Sequence, residues 1–208
     1  VDVVNYLDNT ECANGCQVWV HPGTYDTDNI NIDGIDISIR SLGVSDNTTL
    51  LSRTGGRLFR QSTNVTNMSY TLLIEGFTLA SGSTEYPGGS IYISDYPNVV
   101  LKDLVFLSTN SGPVNSNPGA GLGGAINLTG VVDATLENIY IDGSISQGIG
   151  GGIYLENVSG TLSEIEIRNT KGTLGGGMYF TGVNASIEDI DISGCKTTTT
   201  DLYESPFG

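Results

Sequence analysis

Apolar and glycine positions in the second half of the chain fall into a recurring phrase. It reads Gly88-Gly89-Ser90-Ile91-Tyr92-Ile93, then Gly123-Gly124-Ala125-Ile126-Asn127-Leu128, then Gly150-Gly151-Gly152-Ile153-Tyr154-Leu155, then Gly175-Gly176-Gly177-Met178-Tyr179-Phe180. From Ile91 to Ile126, Ile153 and Met178 the spacings are 35, 27 and 25 residues. Self-similarity at such a period is the mark of a solenoid, in which each repeat packs only on its neighbours. No i, i+3, i+4, i+7 apolar pattern persists over ten residues, so the pattern predicts strands and essentially no helix.

A second phrase follows each copy of the first. Its apolar positions step by three and then two: Leu101, Leu104, Phe106; Leu136, Ile139, Ile141; Leu162, Ile165, Ile167; Ile187, Ile190, Ile192. In one straight strand, residues three apart lie on opposite faces, so the chain must bend for all three to point inward. The residue before the second apolar position is Gly34, Gly76, Asp103, Asn138, Glu164 and Asp189 in successive copies. Gly, Asn and Asp tolerate the left-handed conformation that such a bend needs, and Glu164 is the exception in the column. Each coil is thus expected to hold three short strands: the Gly-Gly strand, a second, and a third beyond a tight bend. That predicts an all-β parallel β-helix with a repeat of about 25 residues.

Residues 1–17 read as a lead-in and cap, and residues 18–208 as the solenoid, with more coils expected beyond 208. Ile30 to Ile39 alternates with period two and predicts one strand. Gly55-Gly56-Arg57-Leu58-Phe59 reads as a degenerate copy of the first phrase. The longest loop, Ser108 to Leu122, carries Pro113 and Pro118 and suits a flexible or partner-directed excursion.

Val18 to Tyr25, followed by Ile32 to Leu42, resembles the opening coil of the pectin-lyase-like right-handed β-helix superfamily. The Gly-Gly-[Ser/Ala/Gly]-[Ile/Met] phrases resemble the repeats of the polymorphic outer membrane protein family. The resemblance covers the chain from about residue 18 and implies a right-handed coil, as parallel β connections prefer. It leaves function open, because the fold hosts lyases, hydrolases, adhesins and tailspikes.

Composition narrows the partners. Charged residues make up 15% of the chain and the net charge is −15, which argues against nucleic acid or an anionic membrane as partner. Cys12 and Cys16 flank Ala-Asn-Gly and are placed to close a small disulfide loop, whereas Cys195 has no evident partner. Asn47, Asn64, Asn67, Asn127, Asn157 and Asn184 each begin an Asn-x-Ser/Thr sequon. Sequons with a disulfide point to an extracellular or cell-surface glycoprotein.

Between the two inward apolar residues of each Gly-Gly strand stands one outward residue, giving the column Phe59, Tyr92, Asn127, Tyr154, Tyr179. Exposed aromatics spaced by one coil would stack on sugar rings or support each other, and the second role is the simpler. A glycosidase or lyase on this face needs carboxylates, or calcium with Lys or Arg, and the last four members supply none. Glu166 and Asp191 fall outward on adjacent coils and form a Ca²⁺ candidate pair, set against a plain solvated acidic face. Lone His21 is assigned no role, and no other cofactor is expected. The sequence therefore predicts a non-catalytic structural or adhesive module of a surface or filament-forming glycoprotein. Its partners would be further coils or neighbouring subunits, with glycans as an added possibility. The alternative is a polysaccharide lyase, a glycoside hydrolase or an inactive carbohydrate-binding relative on the same fold.

Overall fold

The computed structural model describes residues 15–27, 29–52, 56–84, 87–112 and 121–198. The chain winds as a right-handed parallel β-helix. Its first coils contain β1 (Cys16–Val20), β2 (Gly23–Asp26), β3 (Ile30–Asn31), β4 (Ile37–Ser41), β5 (Thr48–Leu51) and β6 (Phe59–Gln61). From there each coil repeats one pattern of three strands. A bent ten-residue strand is followed by a two-residue strand and then by the Gly-Gly strand. The series runs β7 (Thr71–Ala80), β8 (Ser83–Thr84), β9 (Ile91–Ser94), β10 (Asn98–Leu107), β11 (Asn110–Ser111) and β12 (Ile126–Thr129). It continues with β13 (Asp133–Asp142), β14 (Ile145–Ser146), β15 (Ile153–Glu156), β16 (Ser159–Arg168), β17 (Lys171–Gly172), β18 (Met178–Thr181), β19 (Asn184–Ser193) and β20 (Lys196–Thr197).

Every pairing is parallel, and the strands stack in three sheets. The bent strands form one sheet, β1-β4-β7-β10-β13-β16-β19, joined by β2 and β5; the Gly-Gly strands form a second, β3-β6-β9-β12-β15-β18. The short strands β8-β11-β14-β17-β20 form a third that the apolar pattern did not predict. The expected second and third strands are the two arms of one bent strand. Residue-for-residue pairing skips the bend: Lys102 pairs with Glu137 and Leu104 with Ile139, leaving Asp103 and Asn138 out.

Corners explain how so little chain closes a coil. The predicted bend residues Gly76, Asp103, Asn138, Glu164 and Asp189 all have positive φ, between 50° and 83°. Gly34 also has φ 67°, but it turns a different corner, between β3 and β4, which splits the single strand expected over Ile30 to Ile39. Further left-handed columns stand after the Gly-Gly strand (Asp95, Gly130, Asn157, Gly182) and after the bent strand (Ser81, Ser108, Gly143, Asn169, Gly194). Another stands at the first glycine of the dyad (Gly88, Gly123, Gly150, Gly175).

The dyad has a separate steric requirement at its second glycine. A Cβ on Gly89 would lie 2.0 Å from the carbonyl oxygen of Gly124, and one on Gly124 2.0 Å from that of Gly151. Backbone stacks on backbone at this corner, and no side chain fits between coils. Inside, the apolar triads fill the coil: Leu101, Leu104, Phe106, Leu136, Ile141, Leu162 and Ile167 are fully buried. One inner column is polar, Thr109, Ser144 and Thr170, with the Thr109 and Ser144 hydroxyls 2.7 Å apart. Cys195 is the next member, its thiol 3.0 Å from the Thr170 hydroxyl, and it is a free cysteine.

Candidate functional site

The outward face of the Gly-Gly sheet differs from expectation by one residue at its start. Phe59 pairs with Ile91 and is fully buried, so it belongs to the core and not to an exposed ladder. Arg60 pairs with Tyr92 and takes the outward place. The degenerate copy misled because Leu58 and Phe59 are both apolar and both buried. Arg57 stands where later coils have their second glycine. Its guanidinium donates to the Pro87 and Gly88 carbonyls at 2.5 and 3.3 Å and lies 4.8 Å above the Tyr92 ring.

The remaining column pairs in register as Tyr92, Asn127, Tyr154, Tyr179. Tyr154 and Tyr179 stack with centroids 5.8 Å apart and ring planes within 5°. The Tyr154 hydroxyl donates to Glu156 at 3.1 Å, and burial, then that bond, push its pKa up to about 12. Asn127 breaks the aromatic row. It is fully buried, donates to the Leu122 carbonyl at 3.3 Å and accepts from Thr129. A glycan has no access to it, so this sequon is corrected to a structural residue. Asn47, Asn64, Asn67, Asn157 and Asn184 are exposed.

Glu166 and Asp191 do stand opposite one another on adjacent coils. Glu166 is ion-paired with Arg168, and among the described residues no three His, Cys, Asp or Glu side chains converge to hold a metal ion. The pair stands on an acidic face that Arg168 partly neutralises. Cys16 is disulfide-bonded; Cys12 lies outside the described residues. The His21 carbonyl accepts a hydrogen bond from the Tyr25 hydroxyl at 2.9 Å.

A second place carries more convergent chemistry, and the repeat pattern concealed it. Later coils pass from one arm of the bent strand to the other through a single residue. Between β4 and β5 that bend is replaced by a longer excursion through Leu42, Gly43, Val44 and a short 3-10 turn, Ser45–Asn47. The Ser41 and Thr48 hydroxyls, 2.6 Å apart, close its base, and Thr78 donates to the Ser45 carbonyl at 2.9 Å. The excursion stands over the bend column as one wall of a cleft of about 390 Å³. Gly76, Asp103 and Asn138 line its floor, and Trp19, Arg40 and Glu75 the opposite wall.

These wall residues are one outward column in register: Trp19 with Arg40, Arg40 with Glu75. The Arg40 guanidinium lies 5.5 Å from the Trp19 ring centroid and pairs with Glu75 at 3.0 Å. The column continues with Lys102, whose ammonium donates to Glu137 at 2.6 Å, a bond that raises the lysine pKa. On the floor, the Asn138 amide donates to Asp103 at 2.7 Å. The signal that would have found the cleft is the extra chain between Ser41 and Thr48, where later copies have one residue. The chain matches no protein-family model, no curated protein and no solved structure.

Proposed function

We propose that this chain is a non-catalytic, extracellular β-helix module of a surface or filament-forming glycoprotein, whose open coil end packs on further β-helix. One contrast carries the reading. Leu136, Leu162, Ile141 and Ile167 are fully buried, whereas their counterparts Ile187 and Ile192 in β19 are 49% and 46% exposed. The strands β18, β19 and β20 also end their sheets, so their outer edges have no described strand to pair with. Apolar surface of this kind, framed by unpaired strand edges, is the face on which a parallel solenoid extends. The partner is another coil, from this chain or from a second copy. The five exposed sequons support an outer surface that carries glycans.

Light scattering and negative-stain microscopy across a concentration series test the reading. Concentration-dependent, end-to-end association is expected, and Ile187→Asp with Ile192→Asp should abolish it. A species that stays monomeric at every concentration, with the double variant indistinguishable from it, would sink the proposal. The enzyme alternative rests on the resemblance to pectin-lyase-like coils; cleavage of polygalacturonate or another acidic glycan by the purified protein would establish it instead.

A further inference from the structure

Charges along the bent-strand sheet are paired from coil to coil until its last strand. One outward column runs in register through Arg40, Glu75, Lys102, Glu137, Ser163 and Glu188. Signs alternate over its first four members, and each acid there is paired with a base one coil away. Glu75 meets Arg40 at 3.0 Å, and Glu137 meets Lys102 at 2.6 Å. Glu188 follows neutral Ser163, so no base stands behind it in the column. In the next outward column Glu166 takes Arg168, and Asp191 stands one coil beyond. Among the described residues, Glu188 and Asp191 form no ion pair, and both are exposed.

These two acids alternate along β19 with Ile187, Ile190 and Ile192, and the bend at Asp189 lies between them. A strand added in the sheet's parallel register sets its inward residues on the isoleucines and its outward residues beside Glu188 and Asp191. Like charges directly opposed destabilise such a pair, and opposite charges support it. Two copies joined at this end would bring the acidic edge against itself. The first coil of a second copy, in the same register, would bring Trp19 to Glu188 and Thr24 to Asp191, with no cation in either place. Residues 199–208 contain neither Lys nor Arg. Lys171 and Lys196 pair with one another in the short-strand sheet, on another side of the coil.

We infer that the preferred partner of this end is a bent β-strand with Lys or Arg opposite both Glu188 and Asp191. Its order is apolar, cation, bend residue, apolar, cation, apolar. This rests on the stacking reading above and adds the chemistry of the partner. The chain's own β10 has that order except in the fifth place: Leu101, Lys102, Asp103, Leu104, Val105, Phe106. Apolar contact alone lets copies associate, while a cationic strand binds the same edge more tightly and displaces them.

The probe is a fluorescein- and PEG-tagged peptide of Asn98–Leu107 carrying Val105→Lys. Its comparison carries Lys102→Glu and Val105→Glu. Anisotropy on titration with the intact protein measures binding, and hydrogen exchange locates it. The cationic peptide should bind about tenfold more tightly, roughly threefold for each of two charge pairs, and should slow exchange in β19. A protein carrying Glu188→Lys and Asp191→Lys should reverse the preference. Both side chains are exposed, so the fold is retained, and far-UV circular dichroism checks it. Equal binding of the two peptides, protection away from β19, or a preference that the reversed protein keeps would overturn the inference and leave end stacking intact. Binding of neither peptide, while Ile187→Asp still abolishes self-association, would do the same. Binding of neither peptide in a protein that never self-associates would remove the stacking reading and this inference with it.

Discussion

At the scale of single residues, the coil is governed by which positions must take a left-handed backbone and which must lack a side chain. The two demands are separable. At Gly143, φ is 70° and an added Cβ would meet nothing closer than 3.6 Å, so Gly143→Ala should cost only the left-handed penalty, about 1 kcal/mol. At Gly124 the same substitution drives a methyl to 2.0 Å from a backbone oxygen of the next coil and should cost about 3 kcal/mol or more. Glu164 holds φ 54° with a side chain that does not favour it. Glu164→Asn should therefore stabilise by about 0.5–1 kcal/mol. Urea denaturation of the three variants measures all three, and equal costs at Gly143 and Gly124 would refute the steric argument. The bend column was legible in the sequence because Gly76, Asp103, Asn138 and Asp189 belong to the few residue types that tolerate positive φ. The close approach at Gly124 was not, because glycine spacing marks a repeat without saying which neighbouring atom forbids a side chain.

At the scale of strands, the apolar steps of three and two foretold a bent pair of arms, and β10, β13, β16 and β19 each carry one. What they did not foretell is the third sheet, since strands of two residues such as Asn110–Ser111 leave no periodicity to read. The register of the first Gly-Gly copy failed for a related reason: adjacent Leu58 and Phe59 both face apolar surroundings, so alternation could not choose between them. Tyr154, correctly placed in its column, proves more enclosed than an exposed ladder implies, at 6% exposure. Its folded pKa of about 12 lies above the ordinary tyrosine value of 10, so the folded state favours the neutral phenol. That contribution to stability is whole below pH 10 and is lost as pH rises towards 12. Tyr96, buried with its hydroxyl donating to the Ile35 carbonyl at 2.7 Å, is shifted upward by burial and by Asp36, and loses stability in the same direction. Ultraviolet titration should show late-ionising tyrosines. Tyr154→Phe should remove one of them and flatten the alkaline fall in stability, and an unchanged titration curve would show that Tyr154 is open to solvent.

At the scale of the whole molecule, a solenoid has no single core. Each coil is held by its two neighbours, so stability should fall towards any coil with only one. The repeat period announced this architecture, while the cleft beside the Leu42–Ser45 excursion departs from the repeat. Trp19, Arg40 and Val44 stand where the coil is irregular; Ile187 and Ile192 repeat the buried pattern with no further strand layer among the described residues. Hydrogen exchange with mass spectrometry reads the consequence strand by strand. At low protein concentration, amides of β10, β13 and β16 should exchange slowest, because both neighbouring coils hydrogen-bond to them, and those of β18, β19 and β20 much faster. If the open end is an assembly face, protection in β19 should rise with concentration while β13 stays constant, and Ile187→Asp should erase that rise. Uniform protection across all coils would contradict the nearest-neighbour account. Protection in β19 that is high and concentration-independent would place a permanent cover over Ile187 and Ile192 within the chain itself, and would remove the case for stacking of separate copies.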